Sequence, residues 1–228
     1  METSEIIFTV IYFAILALYL YAGSSSNKVF RIMTKVTLAS TYLIYAIVMA
    51  SVNRLGDGRS LLFLLGLFFL YLGDIILPFY FNHGADMFLA GNLTLILYQN
   101  FLVAWNGGNF FPQLYFLLPS YLIIVALILY AVYGKEKIFE IKGMKIPVVI
   151  YLCTVGLTCF SGINLLCIYR SSLAGLFGLG SILFFLSDIV LCLDKFRSPR
   201  KWFMKPLNSV LYFTGVYLYV LFFFRMFA

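Results

Sequence analysis

Apolar runs of about twenty residues follow one another along this 228-residue chain, parted only by short polar turns. Each run suits a hydrocarbon layer roughly 30 Å thick. Only a helix or a closed barrel crosses such a layer with its backbone hydrogen bonds satisfied. The chain is 63% hydrophobic and 11% charged, against roughly 45–50% and 25% in a soluble domain. The expected fold class is all-α: a polytopic membrane protein of about eight transmembrane helices, spanning 1–228 as one integral domain. The first run follows Glu2 and Glu5 rather than a basic segment, so it reads as a retained helix and not as a signal peptide.

The spacing predicts spans near 5–22, 34–52, 60–81, 85–104, 112–133, 146–169, 173–193 and 206–226. Polar turns separate them, among them Asn53 to Arg59, Asn82-His83-Gly84, Trp105 to Asn109 and the Gly134–Lys145 connection. Lys28, Arg31, Lys35, Lys135, Lys137, Lys142, Lys145, Lys195, Arg197, Arg200, Lys201 and Lys205 flank one side. Only Arg54, Arg59, Arg170 and Arg225 flank the other. Twelve against four predicts that both termini face away from the cytoplasm, in a bacterial plasma membrane or an endomembrane. The +7 formal charge is thereby explained by topology, and no nucleic-acid partner is expected.

Two carboxylates stand inside apolar runs. Gly73-Asp74-Ile75-Ile76-Leu77 in the third run is matched by Ser187-Asp188-Ile189-Val190-Leu191 in the seventh. A carboxylate at a helix centre costs about 2.5–3.5 kcal/mol on insertion scales, so intramembrane acids point to function. The two lie 114 residues and four spans apart, which suggests a four-plus-four repeat. Asp74 is expected roughly 10 Å inside the end of its span, at about 1.5 Å per residue, with Asp188 somewhat shallower. One protonated acid beside one ionised carboxylate makes a working acid/base pair.

Other polar residues share helix faces with sites of this kind. Asn92 and Gln99 are seven apart in the fourth span, and that face is expected to orient water or a head group. Asn208, Tyr212, Gly215 and Tyr219 form a stripe in the eighth, and Ser181 precedes Asp188 by seven in the seventh. Lys35 opens the second span and either snorkels to the interface or turns inward to hold a phosphate or an aspartate. His83, the single histidine, is expected to be exposed in a turn. Cys153, Cys159, Cys167 and Cys192 form no C-x-x-C pair, so neither a metal site nor a cofactor is expected. The chain carries no G-x-S-x-G, H-E-x-x-H or Walker motif, so serine-hydrolase, zinc-protease and ATPase chemistries lack their residues.

Gly73-Asp74 with Leu77, Gly91 in the fourth span, and Phe184-Phe185-Leu186-Ser187-Asp188 with Leu191 resemble the YhhN-like family of integral membrane lysoplasmalogenases. The chain departs from that family where Gln99 and Tyr98 replace a histidine, Tyr219 a glutamine and Val36 a proline. The resemblance implies hydrolysis of the vinyl ether of a lysophospholipid to a fatty aldehyde and a glycerophospho-base. Asp74 and Asp188 are the implied catalytic residues, supported by Lys35, Asn92, Gln99, Ser187 and Tyr219. Other classes use the same carboxylates: a proton- or cation-coupled carrier, and a lipid-binding relative without catalysis. The expected partners are a lysophospholipid substrate and the surrounding membrane lipids.

Overall fold

The computed structural model describes residues 3–52, 58–105, 111–134, 141, 143–197 and 201–227. They form eight helices and, among the described residues, no strand: α1 (Thr3–Ser24), α2 (Lys28–Val52), α3 (Gly58–Ile76), α4 (Phe81–Trp105), α5 (Phe111–Tyr133), α6 (Lys145–Tyr169), α7 (Ser172–Phe196) and α8 (Met204–Phe227). Six of them, α1, α2, α4, α6, α7 and α8, are long and apolar enough to cross a membrane. In the other two, the described residues include the apolar stretches Ser60–Ile76 of α3 and Leu117–Tyr133 of α5. The turns expected at Asn53 to Asp57 and at Asn106 to Asn109 lie outside the described residues. So do Lys135, Lys137, Lys142, Arg200 and the side chain of Arg59 from the charge count.

The helices are ordered inside out, as lipid rather than water dictates. On α1 the buried side is Glu5, Phe8, Tyr12 and Leu16, spaced three, four and four. Its exposed side is Ile6, Ile7, Val10 and Ile11. The polar groups turn inward because hydrocarbon offers them no partner, and the apolar groups lose nothing by facing lipid tails.

The described chain divides into two compact units, Met1–Leu95 with Tyr219–Ala228, and Ile96–Leu218. In the first, α2 packs on α1 and α3, and Phe63 of α3 stacks on Phe223 of α8 at 4.4 Å. Arg225 Nε donates to Glu5 Oε1 at 2.9 Å, joining the first turn of α1 to the last turn of α8. This ion pair ties the N-terminal end of α1 to the C-terminal end of α8 within the first unit. In the second unit α6 packs on α5 and α7. Arg170 ends α6 in the left-handed conformation and Ser171 caps α7, its hydroxyl accepting from Ala174 N–H at 3.1 Å.

A related contact occurs in each four-helix half. Gly66 stands eight residues before Asp74, and a Cβ on Gly91 of α4 would lie 3.2 Å from its carbonyl oxygen. Gly180 stands eight residues before Asp188, and a Cβ on Gly215 of α8 would lie 2.9 Å from its carbonyl oxygen. Small residues let backbones approach closely, which is how helices associate where no hydrophobic force separates them from lipid.

The third helix corrects an expectation. It stops at Ile76 and the turn falls at Leu77 to Phe79, not at Asn82-His83-Gly84, which are the first turn of α4. Pro78 is the cause: it disfavours helical backbone at Leu77 and carries no N–H to continue the ladder. His83 is exposed as expected, but on a helix, with Nδ1 3.9 Å from Asp86. Gly84 serves packing rather than a turn, since a Cβ there would stand 2.6 Å from Leu77 Cα. Gly84→Ala is therefore expected to destabilise the protein by about 1–3 kcal/mol in detergent unfolding. Gly23→Ala, at a position with no atom near the added methyl, is expected to leave the midpoint unchanged or slightly raised.

Candidate functional site

In the first unit the site begins on α2. Lys35 and Tyr42 are seven residues apart and so share a face, and that face meets Asp74 on α3. Lys35 Nζ lies 3.1 Å from Asp74 Oδ1, and the Tyr42 hydroxyl donates to Oδ2 at 3.2 Å. Asp74 is 1% exposed and Lys35 13%. One turn before Asp74, the Tyr71 hydroxyl accepts from Ser40 Oγ at 3.4 Å, a second polar link between α2 and α3. Lys35 thus turns inward to an aspartate rather than only snorkelling.

The end of α3 explains why Asp74 needs a cation. Asp74 is two residues from Ile76, the last of the helix, where the macrodipole is negative and disfavours an anion. The expected 10 Å depth assumed that the helix ran on to residue 81. Measured along the helices, Asp74 is about 3 Å from the end of α3 and Asp188 about 12 Å from the end of α7. Pro78 ends α3 early, so less of the helix follows Asp74 than the expected span implies.

In the second unit Asp188 is 4% exposed on α7, and Tyr151 of α6 donates its hydroxyl to Oδ2 at 3.0 Å. Ser187 is buried but turns its hydroxyl onto the Phe184 carbonyl of its own helix at 2.6 Å. Ser181 does likewise with Phe177, at 2.9 Å. Lys145 opens α6 six residues before Tyr151, near the register that Lys35 holds before Tyr42, and its ammonium lies 5.2 Å above the Tyr133 ring.

Of the other expected residues, Tyr219 is fully buried in the first unit. Asn92, also in the first unit, donates Nδ2 to the Phe88 carbonyl at 2.9 Å, and its Oδ1 is buried without a hydrogen-bond partner among the described residues. Gln99 in the second unit is 0% exposed, and neither atom of its amide has such a partner. The structure brings Lys35 to Asp74, whereas Asp188 belongs to the other unit and is described there.

Two side chains that contact the aspartates escape a reading of the sequence. Tyr42 and Tyr151 are two among seventeen tyrosines. The signal that could have found them is their separation of 109 residues, close to the 114 between the aspartates. In each half a tyrosine of the second helix donates to the aspartate of the third.

These features define a polytopic helical membrane protein with two deeply buried, phenol-bound carboxylates. Residues 30–222 match the model of the YhhN family, and the chain belongs to that family. The match contains every residue of the candidate site, from Lys35 to Tyr219. No curated protein and no solved structure matches the chain.

Removing one partner of a buried ion pair leaves the other charge uncompensated, at a cost of about 3–5 kcal/mol. Lys35→Met is expected to lower stability by that order, and much less in an Asp74→Asn background; unfolding of the four proteins of this double-mutant cycle measures the difference. Gln99→Leu is expected to raise the stability of ligand-free protein by about 1–3 kcal/mol, because it removes a buried amide that no described residue satisfies. A lower midpoint in the same assay would mean that the amide is already satisfied in solution.

Proposed function

We propose that the protein is an intramembrane lipid hydrolase that cleaves the vinyl ether of lysoplasmalogens through Asp74 and Asp188. The observation that carries this reading is the pair of matched buried carboxylates, each accepting a hydrogen bond from a tyrosine of the preceding helix. Both lie inside the family match. Acids placed so far from water need a task to offset their cost.

Vinyl ether hydrolysis suits such a pair. A carboxylic acid delivers a proton to the alkene carbon remote from the oxygen, leaving an oxocarbenium ion at the other. A carboxylate stabilises that cation until water adds to it. The resulting hemiacetal collapses to an aldehyde and a free glycerol hydroxyl, and the proton given at the start is returned. One water is consumed and no redox partner is needed. The division of labour parallels glycoside hydrolysis, where an acid and a carboxylate flank an oxocarbenium-like transition state.

Lys35 and the two tyrosines are positioning residues in this scheme. Tyr42 and Tyr151 fix the carboxylate planes, and Lys35 offsets the charge of Asp74 at the end of α3. Gln99 and Asn92 supply amides able to hold water or the glycerol. The charge bias of the sequence favours a cytoplasmic side for Lys28, Lys35, Lys195 and Lys205 and the opposite side for both termini.

The same ion pair also favours a second reading, a proton-coupled carrier, because lysine–aspartate pairs within membranes mark proton relays as well. Two measurements separate them. Purified protein should release aldehyde from a lysoplasmalogen, and Asp74→Asn or Asp188→Asn should each lower the rate by about 10²–10⁴-fold while the protein stays folded. If both carboxylates serve one chemical step, the double variant should be scarcely slower than the worse single one. Full turnover by either variant sinks the assignment. Uptake into proteoliposomes driven by a pH gradient, with no aldehyde formed, would replace it with the carrier.

A further inference from the structure

A row of cations runs along one face of α2 and ends on the buried acid. Lys28, Arg31 and Lys35 are spaced three and four residues apart, and Tyr42 follows seven after Lys35. At 3.6 residues per turn these four side chains share an arc of about 60°. Exposure falls along the row: Lys28 is exposed, Arg31 half-buried, Lys35 13% exposed and Tyr42 fully buried. Lys35 is paired with Asp74. Lys28 and Arg31 have no carboxylate partner among the described residues.

The row stands at the wrong end of its helix. Asn27 caps α2, its Oδ1 accepting from Phe30 N–H at 3.1 Å and its carbonyl from Arg31 N–H at 3.2 Å. The first turn contains no acidic residue. The macrodipole makes this end positive, which favours anions and disfavours the cations found there. Topology alone explains an exposed lysine beside a bilayer. It does not call for a graded row that leads from the helix end to a buried carboxylate.

We propose that Lys28 and Arg31 bind the phosphate of a single-chain phospholipid, with Arg31 as the main ligand and Lys28 at its outer side. A guanidinium matches two phosphate oxygens at once and tolerates partial burial better than an ammonium. The dimensions suit a glycerophospholipid. Arg31 and Lys35 are separated by one turn, about 6 Å along the axis. In the lipid, five bonds part the phosphorus from the ether oxygen on the far glycerol carbon, also roughly 6 Å when extended. A phosphate held at Arg31 therefore brings the ether to the level of Lys35 and Asp74. Lys28 and Arg31 take no part in the chemistry, and their role is to select the head group and set the depth. This deepens the hydrolase reading and rests on it for the identity of the lipid.

The test measures binding with ligands that cannot be cleaved. A saturated 1-alkyl lysophospholipid, the same 1-alkyl glycerol without its phosphate, and water-soluble glycerol phosphate are titrated into wild type, Lys28→Gln, Arg31→Gln and Arg31→Lys in nanodiscs. Arg31→Gln should weaken the lysophospholipid by about tenfold or more and leave the neutral alkyl glycerol unchanged. Arg31→Lys should recover part of the loss, and Lys28→Gln should show a smaller one. Glycerol phosphate should bind far more weakly than the lysophospholipid. Equal weakening of both lipids by Arg31→Gln, or of neither, overturns the proposal. Glycerol phosphate binding as tightly as the lipid overturns the lipid assignment in favour of a free phosphate site. Because no ligand is hydrolysed, absence of aldehyde release leaves the phosphate result standing. Hydrolysis with unaltered head-group selectivity in Arg31→Gln removes the phosphate site alone.

Discussion

The contact between Lys35 and Asp74 sets the terms for the unit that contains it. A carboxylate at 1% exposure, near the negative end of α3, is held by an ammonium at 3.1 Å and a phenol at 3.2 Å. In water such a pair would be worth little. Away from water each charge depends on the other, so α2 and α3 are tied in one register. The rest of that unit supports the contact: Pro78 ends α3 just beyond the acid, and Gly84 lets α4 pack against Leu77.

Each four-helix half solves the same problem with related parts. The third helix presents the acid, the second donates a phenol, and a glycine of the fourth lies against the backbone eight residues before the acid. The halves differ in their cation. Lys35 reaches its carboxylate, whereas Lys145, near the corresponding register, lies over the Tyr133 ring. Two buried acids of common plan thus stand beside differently placed lysines.

Much of this was legible in the sequence, for a physical reason. In lipid the length of an apolar run is the length of a helix, so the number and order of helices follow from hydropathy. The two acids stand out because hydrocarbon makes each conspicuous. What hydropathy could not convey is the detail of ends and partners. The apolar run through Leu77, Pro78 and Phe79 reads as helix by composition, yet proline stereochemistry stops α3 at Ile76. Tyr42 and Tyr151 look like ordinary packing aromatics, since a tyrosine's hydroxyl leaves no trace in the pattern of its neighbours. Gly84 looks like a turn residue beside Asn82 and His83, although what it provides is room.

The ion pair between Glu5 and Arg225 has a mechanical meaning. A membrane protein extracted under force gives way from its ends, one helix at a time. Here the first and last helices are fastened to each other by a glutamate that is itself buried. Neither end can be drawn out without first separating that pair and exposing its charge. The contact thus couples the outer ends of α1 and α8, which are far apart in sequence.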